Sequence, residues 1–336
     1  MNMPVTRFGR TGLTVSRLAL GTMTFGLQTD EPTSHAILDK AVGAGVTLID
    51  TANVYPLGGD TTTAGATEAI IGRWLAAGGP ARRAGIVLAT KAVGKMGPNP
   101  WDQGASRKHL LAAVDASLAR LQTDHVDLYQ LHHDDRSTPL DESLEALDTI
   151  VKSGRARYVG VSNFLAYRMA RALGRADLLR LARPVSVQPR YSLLFREIER
   201  ELLPLVEEEG LAVIPYNPLA GGLLTGKYRV AEGPPANTRF TLGTAGQMYK
   251  GRYWNERCFD TVRALQGLAQ EAGLPLATLA VAWVLAKPAI TAPLLGASRP
   301  EQLDATLAAV NSTLDPALLA RLDELTHDYR MGDAPR

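Results

Sequence analysis

The chain has 336 residues, of which 46% are hydrophobic and 21% charged, so it can bury a large core. Lys and Arg number 36 against 34 Asp and Glu, and this formal net charge of +2 argues against nucleic acid as the main partner. A single cysteine, Cys258, excludes an internal disulfide and a thiolate metal cluster, and no metal site is predicted.

The sequence shows no membrane-spanning or secretory segment. Its longest apolar stretch, residues 274–286, is too short to cross a bilayer and contains Pro275 and Thr278. Arg7 and Arg10 near the N-terminus are not followed by an apolar region. We therefore expect a cytoplasmic, soluble protein that does not bind membranes.

The predicted elements begin with a small hairpin, with strands at 6–8 and 13–16 and a turn at 9–12. Apolar runs with little in–out alternation, typical of strands buried on both faces of a parallel sheet, follow it. They predict strands at 17–20, 46–49, 86–89, 126–131, 156–160, 185–188, 212–215 and 291–294. Apolar residues at three- and four-residue steps predict helices at 33–44, 66–77, 106–121, 140–153, 165–181 and 197–209.

Helix ends and the C-terminal third complete this pattern. Ser106 is a predicted N-cap, and Gly45, Gly154 and Gly210 are predicted C-caps. Residues 217–257 lack a helical period and are predicted to be a long loop, which is usually functional or disordered. Further helices are expected at 258–272, 276–286 and 299–310.

Eight strands separated by helices predict a (β/α)₈ TIM barrel, of class α/β, with an N-terminal hairpin and two extra helices. The hairpin is expected to plug the N-terminal end of the barrel. An open, doubly wound sheet is disfavoured because no G-x-G-x-x-G follows the first strand. No linker interrupts the chain, so residues 1–336 are expected to form one domain.

Ionisable residues end three consecutive predicted strands. Asp50 follows the second, Lys91 the third and His132 the fourth, and Tyr55 comes five residues after Asp50. Each residue alone is more often structural, but in a barrel all four reach the same rim, where chemistry takes place.

A tyrosine with an ordinary pKa near 10 is a poor acid at neutral pH, and a nearby ammonium favours its phenolate. We therefore expect Lys91, held by Asp50, to lower the pKa of Tyr55. Tyr55 would then protonate a carbonyl oxygen as hydride reaches its carbon, and His132 would orient that carbonyl.

These residues lie in motifs that resemble the aldo-keto reductase superfamily, in the expected order along nearly the whole chain. The matching segments are LGTMTF at 20–25, IDTANVY at 49–55, ATK at 89–91, DLYQLH at 127–132, GVSNF at 160–164, VQP at 187–189, PYNPLAGG at 215–222 and LGAS at 295–298. The GGLLTGK segment at 221–227, followed by a long loop, resembles the branch of bacterial reductases and potassium-channel beta subunits.

The resemblance implies NADPH-dependent reduction of aldehydes and ketones, with Tyr55 as proton donor and Asp50, Lys91 and His132 in support. It also implies a cofactor site. Its residues would be Ser162, Asn163 and Gln188 at the nicotinamide carboxamide; Tyr216 on the nicotinamide face; Asn217, Pro218, Leu219, Ala220, Gly221, Leu224, Gly226 and Lys227 in the pyrophosphate loop; Arg239; and Gly296, Ser298 and Gln302 near the adenosine. Ala305 and Thr306 stand where relatives often have Glu-Asn, which weakens the expected preference for NADPH over NADH.

The substrate pocket is expected to include Met23, Val54, Trp101 and Tyr191. No Arg or Lys other than Lys91 is expected at the rim, so the predicted substrates are neutral small-molecule carbonyls. Three alternatives stay open: a reductase of nucleotide-linked keto sugars, an NADPH-binding regulatory subunit with little turnover, and a barrel enzyme of another chemistry. The sequence leaves the natural substrate and any homo-oligomer undetermined.

Overall fold

The computed structural model describes residues 3–332 and begins with the expected hairpin. Strands β1 (Val5–Arg7) and β2 (Thr14–Ser16) pair antiparallel. Phe8 and Val15 are fully buried in a cluster that includes residues of six barrel strands. The hairpin therefore closes the N-terminal end of the barrel, as predicted.

Eight parallel strands form the central sheet. They are β3 (Ala19–Gly21), β4 (Leu48–Asp50), β5 (Val87–Ala92), β6 (Val126–Leu131), β7 (Ala156–Ser162), β8 (Ser186–Gln188), β9 (Ala212–Val213) and β10 (Leu294–Leu295). They lie in the order β10-β3-β4-β5-β6-β7-β8-β9. The ring closes between the two ends of this order, where Leu294 N donates to Pro215 O at 2.9 Å and Thr291 N donates to Val213 O at 2.9 Å. This confirms the predicted (β/α)₈ barrel.

Helices surround the sheet and bury an apolar layer against it. They are α1 (Glu31–Gly43), α2 (Ala66–Ala84), α3 (Arg107–Leu121), α4 (Leu140–Lys152), α5 (Ala166–Leu179), α6 (Leu202–Glu209), α7 (Gly243–Tyr253), α8 (Glu256–Glu271), α9 (Leu276–Leu285), α10 (Leu303–Leu307) and α11 (Pro316–Leu325). Ser106 caps α3 by accepting a hydrogen bond from His109 N. Gly45, Gly154 and Gly210 have positive φ after α1, α4 and α6, which confirms their predicted role at helix ends.

Two predicted helices are shorter or broken. The helix expected at 197–209 divides into a 3₁₀ turn, Glu197–Glu199, and α6. Pro204 lies in the first turn of α6, where it is tolerated, but its ring would clash with the carbonyl of Arg200 if the helix began earlier. The helix expected at 299–310 is likewise divided, and only its middle, α10, is α-helical.

The long segment between β9 and β10 differs most from the prediction. It contains three short 3₁₀ turns and the helix α7, which the sequence pattern did not predict. Packing around Phe240 stabilises it, with the Trp254 ring 4.9 Å and the Tyr228 ring 5.3 Å away. Phe240 also packs against Tyr249 of α7, with the ring centroids 6.4 Å apart, and the glycines at 243, 246 and 251 weaken the helical pattern of α7 itself. Helix α11 was not predicted either.

No single helix between residues 3 and 332 is long and apolar enough to cross a membrane. By length and composition alone, the bent pair α8 and α9 passes the same test, with 90° between its helices. The single-domain organisation stays a prediction.

Candidate active site

The carboxyl ends of the strands place polar side chains on one rim of the barrel. Asp50 ends β4, Lys91 lies near the end of β5, and His132 follows β6 directly. Tyr55 lies in the turn that leaves β4 towards α2. Because neighbouring strands are parallel, these side chains meet at the same edge.

Asp50 and Lys91 form a buried ion pair. Lys91 Nζ lies 2.5 Å from Asp50 Oδ2 and also donates to Thr51 O at 2.8 Å. Asp50 Oδ1 accepts hydrogen bonds from Gln188 Nε2 at 2.9 Å and from Gln130 Nε2 at 3.1 Å. Both charges are therefore compensated, which burial of an ion pair requires.

Gln130 is a residue that the sequence reading missed. It is fully buried in β6, between apolar neighbours, and its amide faces Asp50. A polar amide inside an otherwise apolar strand was the available signal, because a buried amide needs a partner.

Tyr55 completes the predicted group of four. Its ring is buried, and Lys91 Nζ lies 5.0 Å from the ring centroid. The His132 ring packs edge-on against it, with the centroids 5.6 Å apart. The structure thus brings together the acid, the cation, the phenol and the imidazole.

The pKa of Tyr55 differs from the expectation. Burial raises its pKa well above the ordinary 10.0, and the charge of Asp50 raises it further. The expected lowering by Lys91 is therefore wrong as a net effect, because burial and the charge of Asp50 outweigh it. Burial, together with the Lys91 charge, holds the pKa of His132 well below 6.5, so its imidazole is neutral at neutral pH.

A cavity of about 1270 Å³ opens above these residues. Most of the predicted site residues line it. They are Met23, Asp50, Val54, Tyr55, His132, Ser162, Asn163, Gln188, Tyr216, Asn217, Pro218, Leu219, Gly221, Lys227, Arg239, Gly296, Ser298 and Gln302. Lys91 lies beneath this surface, and Ala220, Leu224 and Gly226 belong to the same loop without lining the cavity.

Two predicted substrate residues lie outside the cavity. Tyr191 is fully buried, its hydroxyl donates to Glu199 Oε1 at 2.6 Å, and its ring lies 5.2 Å from that of Trp283. It is a core residue, so its predicted role is wrong. Trp101 is half-exposed on the loop after β5, where Lys108 Nζ lies 5.6 Å from its ring. It does not line the cavity either.

The polar wall of the cavity is ordered by internal hydrogen bonds. Tyr216 Oη donates to Asn163 Oδ1 at 2.9 Å, and Asn163 Nδ2 donates to His132 O at 3.0 Å. Asn217 has positive φ, and its Oδ1 accepts from Gly221 N at 2.6 Å, which fixes the start of the glycine-rich loop. The protein's own hydrogen bonds therefore hold these wall residues in place.

The cavity is rich in cationic side chains. Lys227, Arg239, Arg252 and Arg299 line it, and no ion pair between any of them and another described residue is seen. Burial and the charge of Arg299 lower the pKa of Lys227. Arg239 Nη1 is buried without a hydrogen-bond partner among residues 3–332. Such groups favour an anionic ligand.

A metal site is not among the features of this region. No group of three or more His, Cys, Asp or Glu side chains within residues 3–332 is placed to hold a metal ion.

The sequence matches the model of the Aldo/keto reductase family over residues 17–327. The chain belongs to this family. The protein named uncharacterized oxidoreductase YrpG of Bacillus subtilis is 44% identical over 328 residues, which cover 96% of each chain. A probable voltage-gated potassium channel subunit beta of Arabidopsis thaliana is 36% identical, again over 96% of each chain.

A third relative is the L-glyceraldehyde 3-phosphate reductase of Escherichia coli, 36% identical over 94% of this chain and 90% of that protein. The aldo/keto reductase assignment and the oxidoreductase relatives show that the chain is an oxidoreductase by family. Members of the family generally use NAD(P)H.

Proposed function

We propose that the protein is an NADPH-dependent reductase that converts aldehydes and ketones to alcohols, with Tyr55 as the general acid. The observation that carries this proposal is the buried group of Asp50, Lys91, Tyr55 and His132 at the floor of one cavity. The names of the oxidoreductase and reductase relatives support it. A cytoplasmic location is part of the same proposal.

The cavity residues fit the dinucleotide that the family implies. When bound, the cofactor supplies a hydride to the carbonyl carbon. Ser162, Asn163 and Gln188 carry groups suited to an amide partner, and Tyr216 offers a flat ring. The uncompensated Lys227 and Arg299, next to Ser298, suit phosphates, as does the unpartnered nitrogen of Arg239.

The chain's own residues supply the proton. The high pKa of Tyr55 keeps its phenol protonated until a carbonyl oxygen gains negative charge. The phenolate left behind lies next to the ammonium of Lys91, which stabilises it. The neutral imidazole of His132 is suited to hold the carbonyl oxygen by a hydrogen bond.

The relation to a channel beta subunit favours a second candidate, a regulatory subunit with little turnover. The complete group of four side chains favours the reductase, since binding alone does not need a phenol, an ammonium and an imidazole in one place. Steady turnover of a carbonyl with purified protein separates the two candidates.

Replacing Tyr55 by Phe tests the assignment. We expect kcat to fall about 10²- to 10⁴-fold, because the acid is lost while the ring keeps its packing. NADPH affinity, measured by quenching of its fluorescence, should stay near the parent value. Tyr249→Phe is the control, since it removes another phenol of the same cavity and should keep turnover. Parent-level turnover in Tyr55→Phe would refute the role of Tyr55.

A further inference from the structure

Helix α7 presents one face to the cavity. Ala245, Met248, Tyr249 and Arg252 all line it, and their spacing of three, four and seven residues from Ala245 is that of a single helical face. Gln247 and Lys250, on the same helix, are exposed and do not line the cavity. The helix that the sequence pattern missed is thus a wall of the site.

This wall lies over the end of the cavity that holds Tyr55. Leu242, directly before α7, packs against the turn that follows Tyr55, since a methyl group added at Gly58 would lie 3.2 Å from it. Tyr249 is among the residues whose charge raises the pKa of Tyr55, so the two phenols lie near each other. Residues of α7 therefore lie where a carbonyl substrate would enter.

Arg252 is placed near Tyr216, which borders the same end of the cavity. Burial raises the pKa of Tyr216 to about 12, and the positive charge of Arg252 is the first influence that opposes this rise. The charge of Arg299, which follows Ser298 after β10, lowers the pKa of Lys227. Positive charge therefore lines the cavity near Tyr216 and near Lys227.

The side chain of Arg252 is half-buried and makes no ion pair or hydrogen bond with another residue in the described range 3–332. Asp50, the acid closest to Tyr55, is held by Lys91 and two amides and is not free to pair with it. Arg239 lies 5.6 Å from the centroid of the Tyr249 ring on α7. Arg252 is therefore a cation available to a substrate.

We propose that Arg252 selects carbonyl substrates that carry an anionic group, a carboxylate or a phosphate, close to the aldehyde or ketone. This inference rests on the proposed reductase function and replaces the expectation of neutral substrates. A guanidinium forms paired hydrogen bonds with either anion, and its fixed charge does not depend on pH. The uncharged side chains of Met248 and Ala245 leave room for the carbon chain that joins the substrate's carbonyl to its anionic group.

The test compares aldehydes that differ in charge but share their reactive group. The carboxylate arm pairs para-carboxybenzaldehyde with its methyl ester, and the phosphate arm pairs glycolaldehyde phosphate with glycolaldehyde. Both pairs are measured with the full-length parent, Arg252→Gln, Arg252→Lys and the control Lys250→Gln. The control Lys250→Gln removes one positive charge from the exposed side of the same helix. Thermal unfolding of each variant checks that α7 stays folded.

In the parent we expect a lower KM for the charged member of at least one pair. Arg252→Gln should raise that KM by about tenfold to about a hundredfold, as for loss of a charged hydrogen bond, and leave the neutral aldehyde unchanged. Arg252→Lys should restore part of the affinity, and Lys250→Gln should behave as the parent. The arm that responds identifies carboxylate or phosphate.

Three results would overturn the inference: equal KM values for charged and neutral aldehydes in the parent, equal losses for both in Arg252→Gln, or the same loss in Lys250→Gln. Reduction of the neutral aldehydes tests the proposed reductase function independently of the anion site. If neither class is reduced, calorimetric binding of the same aldehydes still decides. Charge-dependent binding that Arg252→Gln removes would keep the anion site and reject the reductase.

Discussion

Burial, rather than the neighbouring lysine, sets the protonation of the catalytic side chains. Tyr55 and His132 lie beside a cation, but the first is held protonated and the second neutral by the loss of water around them. Lys91 still supports Tyr55, as the sequence suggested, but it does not give the phenol a low pKa. Its charge favours the phenolate that appears during proton transfer, but this does not offset the rise in the pKa of Tyr55 that burial and Asp50 cause.

This arrangement predicts a flat pH profile around neutrality. His132 would gain a proton only well below its ordinary pKa of 6.5, and Tyr55 would lose one only well above 10.0. Burial lowers the pKa of Lys91 from 10.5, so Lys91 titrates first as the pH rises. We expect kcat/KM for reduction to be constant around neutral pH and to fall only at alkaline pH.

The variant His132→Gln provides the control for this profile. Glutamine keeps a hydrogen-bond donor but cannot titrate, so the activity that remains should show the same flat region. A parent profile with a limb near pH 6.5 that disappears in His132→Gln would show that the imidazole changes its charge during the reaction. The assignment of a neutral imidazole would then be wrong.

The sequence predicted those helices and strands that show a local pattern of apolar residues or a capping residue. Strand β6 has its predicted bounds, 126–131, and α3 begins one residue after its predicted N-cap Ser106. Helix α7 could not be found in this way, because it contains three glycines and packs its Tyr249 against Phe240, which lies outside the helix. Gln130 and Arg252 were missed for the same reason, since their importance depends on what lies opposite them in the fold.

Contacts between helices also decide which glycines can be replaced. Gly72 lies in the buried face of α2, and a Cβ there would be 2.1 Å from the carbonyl oxygen of Arg120 on α3. Gly267 lies in α8, exposed, and a Cβ there would meet no atom within 4 Å. Both glycines lie within helices, so they form a matched pair that differs in what surrounds each position.

We expect Gly72→Ala to lower the free energy of unfolding by about 1–3 kcal/mol, because α2 and α3 must move apart. Gly267→Ala should raise it by about 0.5–1 kcal/mol, since alanine loses less backbone entropy than glycine in a helix. Chemical denaturation of both variants measures these changes. Equal effects of the two substitutions would mean that the α2–α3 contact is not as close as described.

On the scale of the whole molecule, a polar cluster holds the C-terminal helix on the barrel. Asp323 on α11 accepts hydrogen bonds from Trp283 Nε1 and Lys287 Nζ, both at 2.8 Å. Arg196, in the segment after β8, donates to Asp323 O and Thr326 Oγ1, also at 2.8 Å. Three distant parts of the chain meet at this cluster, and no local sequence pattern indicates it.

Removing Asp323 should loosen this attachment. Asp323→Ala leaves the indole N–H of Trp283 and the ammonium of Lys287 without their acceptor, which should cost about 1–3 kcal/mol at neutral pH. Glu271→Ala is the control. It removes an ion pair with Arg321 of similar length, 2.7 Å, but both of its partners are more than half exposed. Its effect should be clearly smaller than that of Asp323→Ala, because an exposed ion pair contributes little to stability.

The pH dependence of this difference has a definite sign. Burial alone would raise the pKa of Asp323, but hydrogen bonds from Lys287 and Trp283 hold it below the ordinary 3.8. A carboxyl with a lowered native pKa stabilises the fold above its unfolded pKa and loses that contribution as the pH falls through the native value. The gap in unfolding free energy between the parent and Asp323→Ala should therefore be constant near neutrality and shrink below about pH 4. A gap that stays constant into acid would show that Asp323 acts through packing rather than through its charge.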